Sequence, residues 1–265
     1  MDKKMVAATR RLNFPIFLLV GLAVSVAAAA IGANGNVPTW SKKGTDFPGG
    51  CDNKEDWDEC KPLEIRSPDH KNVVDLRYAA DPYDPGIEVA ELTVFSNGKR
   101  LGEVVPPATV EDEVVWSPDS KAFFITGNNN ANGWDESAVH LLSDPDLGPG
   151  NIFGDVQQDM ARSFPPCRAK YYHPANCAEY AAHPDEYIGV IGLDWIGGSV
   201  GVVVMAEVPC SSYWGGIMCQ VLGYEVEVPS GKILRRMEPR EFKRRWQKSM
   251  AWNFEIPDPP EYEKK

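Results

Sequence analysis

Histidine is scarce in this chain, and positive charge is in the minority. Among 265 residues there are four histidines (His70, His140, His173 and His183), and none makes the H-E-x-x-H spacing that sets two imidazoles on one helix face for zinc. His173 and His183 each precede proline, which puts them at loop entries rather than in a ligand set. No C-x-x-C pair occurs, so the usual spacing of a zinc or thiol-redox site is missing. Lysine and arginine number 27 against 38 aspartates and glutamates, a formal net charge of −11. A surface of that sign repels phosphate backbones and excludes nucleic acid as a natural partner.

What is present begins with an export signature. Lys3, Lys4, Arg10 and Arg11 form a basic head, and Phe14 to Ile31 then runs eighteen residues without a charge, ending in small residues. This is the layout of a secretory signal, so residues 1–30 are read as a signal peptide cut after Ala30 or Ala33. The competing reading is an uncleaved N-terminal anchor, since a single span needs about 18–20 apolar residues. Arg10-Arg11 lacks the phenylalanine two places on that a twin-arginine signal carries, and no cysteine near the cut offers a lipid attachment point. Residues 1–30 hold four of the basic residues and one acidic residue, so 23 basic face 37 acidic in the remaining 235. The expected location is periplasmic or secreted.

The cysteines agree with that compartment. They fall into three short couples, Cys51 with Cys60, Cys167 with Cys177 and Cys210 with Cys219, each with eight or nine residues between. Six cysteines allow fifteen connectivities, but local proximity favours these three. Closing a loop of about ten residues stabilises by roughly 2.5–3 kcal/mol in the chain-entropy picture.

Along the chain, residues 31–62 are polar, contain Gly and Pro and show no period, which reads as an extended arm pinned by the first disulfide. Residues 63–237 read as a β-rich domain. VVDLRY (73–78) and IEVAELTVF (87–95) are β-branched and aromatic, and Asn97-Gly98 supplies a tight hairpin turn into LGEVV (101–105). VVW (114–116), AFFIT (122–126) and AVHLL (138–142) continue the same meander. A helical insertion is expected near 151–186, from DVQQDMARSF (155–164) and PANCAEYAAH (174–183). Strands resume at 187–196, 200–208, 220–228 and 232–237. Residues 238–265 form a C-terminal helix and tail. Phe242, Trp246 and Met250 at i, i+4 and i+8 mark one face of an amphipathic helix docked on the β-domain. Its basic remainder offers a membrane-facing surface as the competing reading.

The segment Val114–Thr126, VVWSPDSKAFFIT, contains a turn closed by two devices. Pro118 presets φ, and Asp119 bonds backbone amides two residues on. RSPDHKNVVDLRY (66–78) repeats the Ser-Pro-Asp-x-Lys core, and LDWIGGSVGVVVMAEV (193–208) again places a tryptophan before a turn and an apolar strand. The segments 66–78 and 116–126 resemble the WD40-like repeat of TolB-type β-propellers. That resemblance implies blade architecture and binding surfaces, with the turn as structural punctuation. The spacing departs from the family pattern: blades recur every 40–45 residues or so, whereas these turns lie fifty and about eighty residues apart.

Two further motifs have residue types that can carry chemistry. In GNNNANGWDE (127–136), Asn128, Asn130 and Asn132 alternate like the oxygen ligands of a calcium loop, with Asp135 as a further donor. The twelfth position is Val139 instead of a bidentate glutamate, so an Asn/Gly-rich interstrand loop is the favoured reading. GGSVG (197–201) fits G-x-S-x-G, but strand residues follow Ser199 where a nucleophile elbow needs a helix. The acidic run at 52–59 reads as a solvated segment, and sequence alone pairs no two carboxylates for acid–base work.

These readings converge on a mainly β protein: an antiparallel meander, partial-propeller-like or sandwich, with short helices and a C-terminal amphipathic helix. It is expected to act by binding a protein partner rather than by catalysis. Calcium is the one cofactor candidate, and membrane contact is expected only through an uncleaved N-terminal segment or the C-terminal helix. The rivals are an envelope hydrolase and a calcium- or glycan-binding module using exposed tryptophans such as Trp134. Peptide mapping without reduction should recover 51–60, 167–177 and 210–219 as linked pairs; a bond such as Cys51 to Cys210 would defeat the proximity argument.

Overall fold

Short β-branched and aromatic runs, punctuated by Gly, Pro and Asn, give thirteen strands among the described residues, in three consecutive antiparallel sheets. The computed structural model describes residues 40–47, 62–80, 88–105, 111–129, 134–163, 182–183, 187–208, 220–251 and 255–256, all within the compact unit Asn36–Lys265. All six cysteines, the signal region, Asn130, Asn132, most of the expected 174–183 helix and the final residues of the tail fall outside the described residues.

The first sheet runs β2 (Leu63–Arg66), β3 (Asn72–Ala80), β4 (Glu88–Ser96) and β5 (Lys99–Val104) in that order. Asn97 and Gly98 make its expected hairpin turn with φ of 49° and 77°. The second runs β6 (Glu111–Trp116), β7 (Ala122–Asn129), β8 (Trp134–Leu141) and β9 (Pro149–Gly150), with β1 (Thr45–Phe47) added antiparallel on the β6 edge. The third runs β10 (Gly189–Ile196), β11 (Gly201–Glu207), β12 (Val221–Glu227) and β13 (Ile233–Met237).

The single meander expected from Leu63 to Leu142 is therefore two sheets, and the reason lies in which faces are apolar. On β3, Val74 and Leu76 are buried while Asp75 is half-buried and Arg77 exposed, so the first sheet needs cover on one face only. On β6 and β7 both faces are apolar. Val114, Trp116, Phe123 and Ile125 pack against Ile65, Val74, Leu76, Leu92 and Val94 of the first sheet. Val115, Ala122 and Phe124 pack the other way, against Val202, Val204, Leu222 and Tyr224 of the third. A sheet with two apolar faces cannot continue edge-on from its neighbour and leave one face wet; it stacks between two others. Each fully buried large side chain contributes roughly 1.5–3 kcal/mol.

A bulge adjusts the third sheet to this stack. In β10 the register steps from Gly192↔Val204 to Asp194↔Val203, which inserts one residue. Ile191 and Leu193 face outward into a third cluster, and the extra residue returns Trp195 to the inner face with Val202 and Val204. From there its indole Nε1–H donates to the carbonyl of Val115 on β6 (3.0 Å). The indole of Trp116 makes the same reach one sheet earlier, to the carbonyl of Ile65 on β2 (3.1 Å). Between the second and third sheets, Ser137 Oγ donates to the Val190 carbonyl (2.8 Å), and the Gly192 amide donates to Ser137 Oγ (2.8 Å) and Thr126 Oγ1 (3.1 Å).

Helix α1 (Gly154–Ser163) closes the inner cluster with Val156 and Met160, as the 155–164 segment led one to expect. Helix α2 (Pro239–Trp246) lies on the outer face of the third sheet, where Phe242 joins Ile191, Leu193, Val203 and Met205. It is shorter than its sequence period suggested. After Trp246 the chain makes one 3-10 turn, Gln247–Ser249, and Met250 becomes extended (φ −73°, ψ 153°) to bridge Ser41. Met250 is still buried beside Phe242, so the apolar stripe survives the change of backbone. Among the described residues no helix is long and apolar enough to cross a membrane.

Replacing either indole by phenyl, as Trp116→Phe or Trp195→Phe, keeps most of the apolar packing and strips a buried carbonyl of its donor. Each change should lower stability by about 1–2 kcal/mol in urea titrations. An unchanged midpoint would show the indole bonds to be incidental to sheet stacking.

Candidate functional site

The Ser-Pro-Asp turns gather into one polar face. In the first, Ser67 N–H donates to the Asn72 carbonyl (2.9 Å) and His70 N–H to the Ser67 carbonyl (2.8 Å). Ser67 Oγ donates to Asp69 Oδ1 (2.7 Å) and accepts the Asn72 amide (3.1 Å). The second repeats each bond. Ser117 N–H reaches Ala122 O (2.8 Å) and Ser120 N–H reaches Ser117 O (2.9 Å), while Ser117 Oγ donates to Asp119 Oδ1 (2.8 Å) and accepts the Ala122 amide (3.0 Å). His70 and Ser120 occupy the same place in left-handed backbone, with φ of 60° and 61°. The third turn substitutes Gly197 and Gly198, with φ of 59° and 79°. A Cβ on Gly198 would lie 2.9 Å from Asp119 Oδ2, so both the backbone conformation and the neighbouring turn require glycine there.

The turns are also bonded to one another by rule. Asp69 N–H donates to Ser120 Oγ (3.1 Å) and Asn72 Nδ2 to the Ser120 carbonyl (2.8 Å), tying the first turn to the second. Ser199, which corresponds to Ser120, donates from Oγ to Asp119 Oδ2 (3.0 Å), tying the second to the third. The residue after that serine position offers its carbonyl to the turn joining the third and fourth strands of its own sheet. Asn97 N–H reaches Lys71 O (2.7 Å), Leu142 N–H reaches Lys121 O (3.0 Å) and Val228 N–H reaches Val200 O (2.9 Å).

Among these turns lies an open depression of about 440 Å³, lined by Asp69, Lys71, Asn97, Asp119, Lys121 and Ser199 with Leu141 and Leu142 beneath. Its formal charges balance. The Ser67 hydroxyl and the Lys71 amide hold the Asp69 carboxyl below its ordinary value. At Asp119 partial burial pushes upward, but the Ser117 and Ser199 hydroxyls and the Lys121 amide outweigh it, and the net shift is downward. Both carboxylates are thus ionised acceptors engaged in holding turns. Ser199 donates its hydrogen bond to a carboxylate, and among the described residues no imidazole bonds it. It sits between β10 and β11, where the sequence placed it.

The other sequence candidates scatter. Asn128 and Asp135 are register partners across β7 and β8, as are Asn129 and Trp134, so positions 130–133 connect the two strands of a hairpin. Asn130 and Asn132 of the calcium motif lie outside the described residues. His140 is buried, stacked on Phe123 (4.9 Å between centroids) with Nδ1 on the Leu147 carbonyl (2.9 Å). Burial lowers its pKa, and its Nε2 has no hydrogen-bond partner among the described residues. No family model, no curated protein and no solved structure matches this chain.

Sequence reasoning missed one buried carboxyl group and its half-buried carboxyl neighbour. Glu113 on β6 is register partner to Asp46 on β1, and the segment 40–46 wraps around its carboxyl group. Trp40 N–H donates to Oε2 and Ser41 N–H to Oε1, both at 2.9 Å. A Cβ on Gly44 would fall 2.1 Å from the Glu113 carboxyl carbon, so only glycine lets the strap close over it. Nothing in the local pattern announces this, because the partners lie 67 positions apart and meet only through strand pairing. Burial raises the Glu113 pKa well above the ordinary 4.5; the Trp40 amide opposes the rise and the Asp46 carboxylate adds to it.

The folded state therefore holds a proton that the unfolded chain releases near 4.5. That contribution to stability is complete below the unfolded value and is lost as pH rises through the folded one. Glu113→Gln removes the ionisation. As pH rises above 4.5 the melting temperature of the wild type should fall relative to that of Glu113→Gln; parallel curves would mean that Glu113 is already ionised in the fold.

Proposed function

We propose that this protein is an exported, non-catalytic binding protein of the cell envelope or the secreted fraction. In this reading the three sheets are blades of a WD40-like scaffold, and their shared turn face receives a protein partner in an inhibitor- or immunity-like role. The observation that carries the reading is the bonding rule repeated from turn to turn. Asp69, Asp119, Ser120 and Ser199 are committed to fixing the turns against one another. Carboxylates held this way make poor proton shuttles and good braces. The result is a rigid polar surface assembled from three sheets, the arrangement by which scaffolds present recognition loops.

The character of the depression supports a macromolecular partner over a small one. Small-molecule sites are mostly apolar and enclose most of their ligand, whereas this depression is open, charge-balanced and lined by hydroxyl, amide, ammonium and carboxylate groups. Lys71 and Lys121 stand at its rim with their side chains exposed; each offers its backbone carbonyl to the fold, and Lys121 Nζ also lies 3.9 Å from Asp119 Oδ2.

Lys71→Glu with Lys121→Glu removes an exposed ion pair to Asp119 worth about 0–1 kcal/mol and should lower the melting temperature only slightly. Binding of the partner isolated from the envelope fraction should weaken at least tenfold, as measured by titration calorimetry. Equal affinity for both forms would remove the turn face from the binding role. Turnover of an envelope polymer by the wild type would overturn the binding reading altogether.

A further inference from the structure

One edge of the molecule carries charge opposite to the rest. Residues 235–248 contain seven basic side chains and two acidic ones, in a chain whose net charge is −11. Four of the basic groups are engaged on the protein: Arg235 with Glu241, Arg236 with Asp159 and Glu238, Lys243 with Glu255, and Arg245 with Glu225. Arg240, Arg244 and Lys248 are exposed and make no ion pair among the described residues. They recur at i, i+4 and i+8 along α2 and the following 3-10 turn, opposite the buried Phe242. The helix is thus docked by its apolar stripe and presents a row of three guanidinium and ammonium groups to the outside.

A second observation says what that row faces. Trp40 enters the fold at the end of the basic stripe: Ala251 N–H donates to its carbonyl (2.9 Å), Lys42 N–H to the Ser249 carbonyl (3.0 Å), and Lys42 Nζ to the carbonyl of Lys248 (2.7 Å). The apolar run Phe14–Ile31 ends nine residues before Trp40. Nine residues span at most about 30 Å when fully extended. If a bilayer holds Phe14–Ile31, Trp40, beside the Lys248 end of the row, is therefore tethered within that distance of its surface. Tethering of this kind converts a weak surface attraction into an intramolecular one.

We propose that the face formed by Arg240, Arg244 and Lys248 docks on an anionic lipid bilayer surface, next to the point where the chain leaves the membrane. The rest of the chain is net acidic and is repelled by the same headgroups, so attraction at this face and repulsion elsewhere fix which side of the domain meets the lipid. The proposal rests on the anchor form of residues 14–31 and is independent of the turn face.

The full chain, reconstituted into vesicles of phosphatidylcholine alone or with one part in three of phosphatidylglycerol, provides the test. Trypsin cleavage after Arg245, followed by mass spectrometry, reads access to α2 directly. Cleavage should be at least tenfold slower on the anionic vesicles, and high salt should abolish the difference. Arg240→Gln/Arg244→Gln/Lys248→Gln removes three exposed, unpaired charges and keeps the Arg245 site; its cleavage rate should be the same on both vesicles. Equal rates for the wild type on the two lipids, or full protection of the triple variant on the anionic one, would overturn the proposal. Protection that rises with protein concentration in the absence of lipid would assign the face to a second, acidic copy of the chain, and would overturn it too. Loss of turn-face binding in Lys71→Glu/Lys121→Glu bears on neither outcome, so the two readings fail separately.

Discussion

A buried indole N–H must find an acceptor, and in this protein it finds one on the sheet before its own. Trp116 reaches back to the Ile65 carbonyl and Trp195 to that of Val115, in each case the residue that precedes the tryptophan position in the earlier sheet. The bond is worth about 1 kcal/mol net, but its directionality matters more than its size. Apolar packing alone lets two sheets slide or rotate over one another. A donor fixed at the end of each first strand, aimed at one carbonyl of the preceding first strand, sets offset and angle together. The bulge at Gly192–Asp194 exists in physical terms to bring Trp195 to the face where that bond is available.

The same offset brings the turns side by side, and the turns then lock it. Each turn is closed by its own serine or by left-handed backbone, latched to the next turn by Ser120 or Ser199, and joined to the second turn of its own sheet through a backbone carbonyl. Polar bonds between turns lie at the surface, where each is individually weak. Placed at the same turn position from sheet to sheet, though with Ser120 accepting from an amide and Ser199 donating to a carboxylate, they tie the three turns into one face. On the other side of β6 a different solution appears. There the strap 40–46 takes a glutamate out of water by giving it two backbone amides and a neighbouring carboxyl, and closure over Gly44 keeps it dry.

Most of the strands, the Asn-Gly hairpin and α1 were legible because each depends on neighbours within a few residues: alternation, turn chemistry and helix period are local properties. The Ser-Pro-Asp turns were legible for the same reason. Where they point was not, since the latches from Asp69 to Ser120 and from Asp119 to Ser199 cross 51 and 80 positions. The division of Leu63–Leu142 into two sheets was hidden as well, although VVW and AFFI hold the signal in retrospect. An uninterrupted apolar strand needs cover on both faces, and a coplanar neighbour does not give it. The third turn looked the poorest match in sequence, yet it keeps the indole bond and the serine latch, because two glycines supply the backbone shape that Ser-Pro-Asp supplies elsewhere. At the C-terminus the apolar period was read correctly and the helix length was not. Met250 follows the burial pattern in extended backbone, because Ser41 offers it a strand partner.

The pairing of Ser41 with Met250 also decides how the fold responds to pulling. The two segments run antiparallel, with Ala251 N–H on the Trp40 carbonyl and Lys42 N–H on the Ser249 carbonyl. The chain before residue 40 and the chain after residue 251 therefore depart from the same end of this small ladder. Tension between them loads its hydrogen bonds one after another, like the teeth of a zipper, and does not shear them all at once. Tension on the C-terminal side first meets Ile256, which is buried in the outer cluster and bonded to Gln247; the seam at Trp40 opens next, and the strap leaves β6 only afterwards.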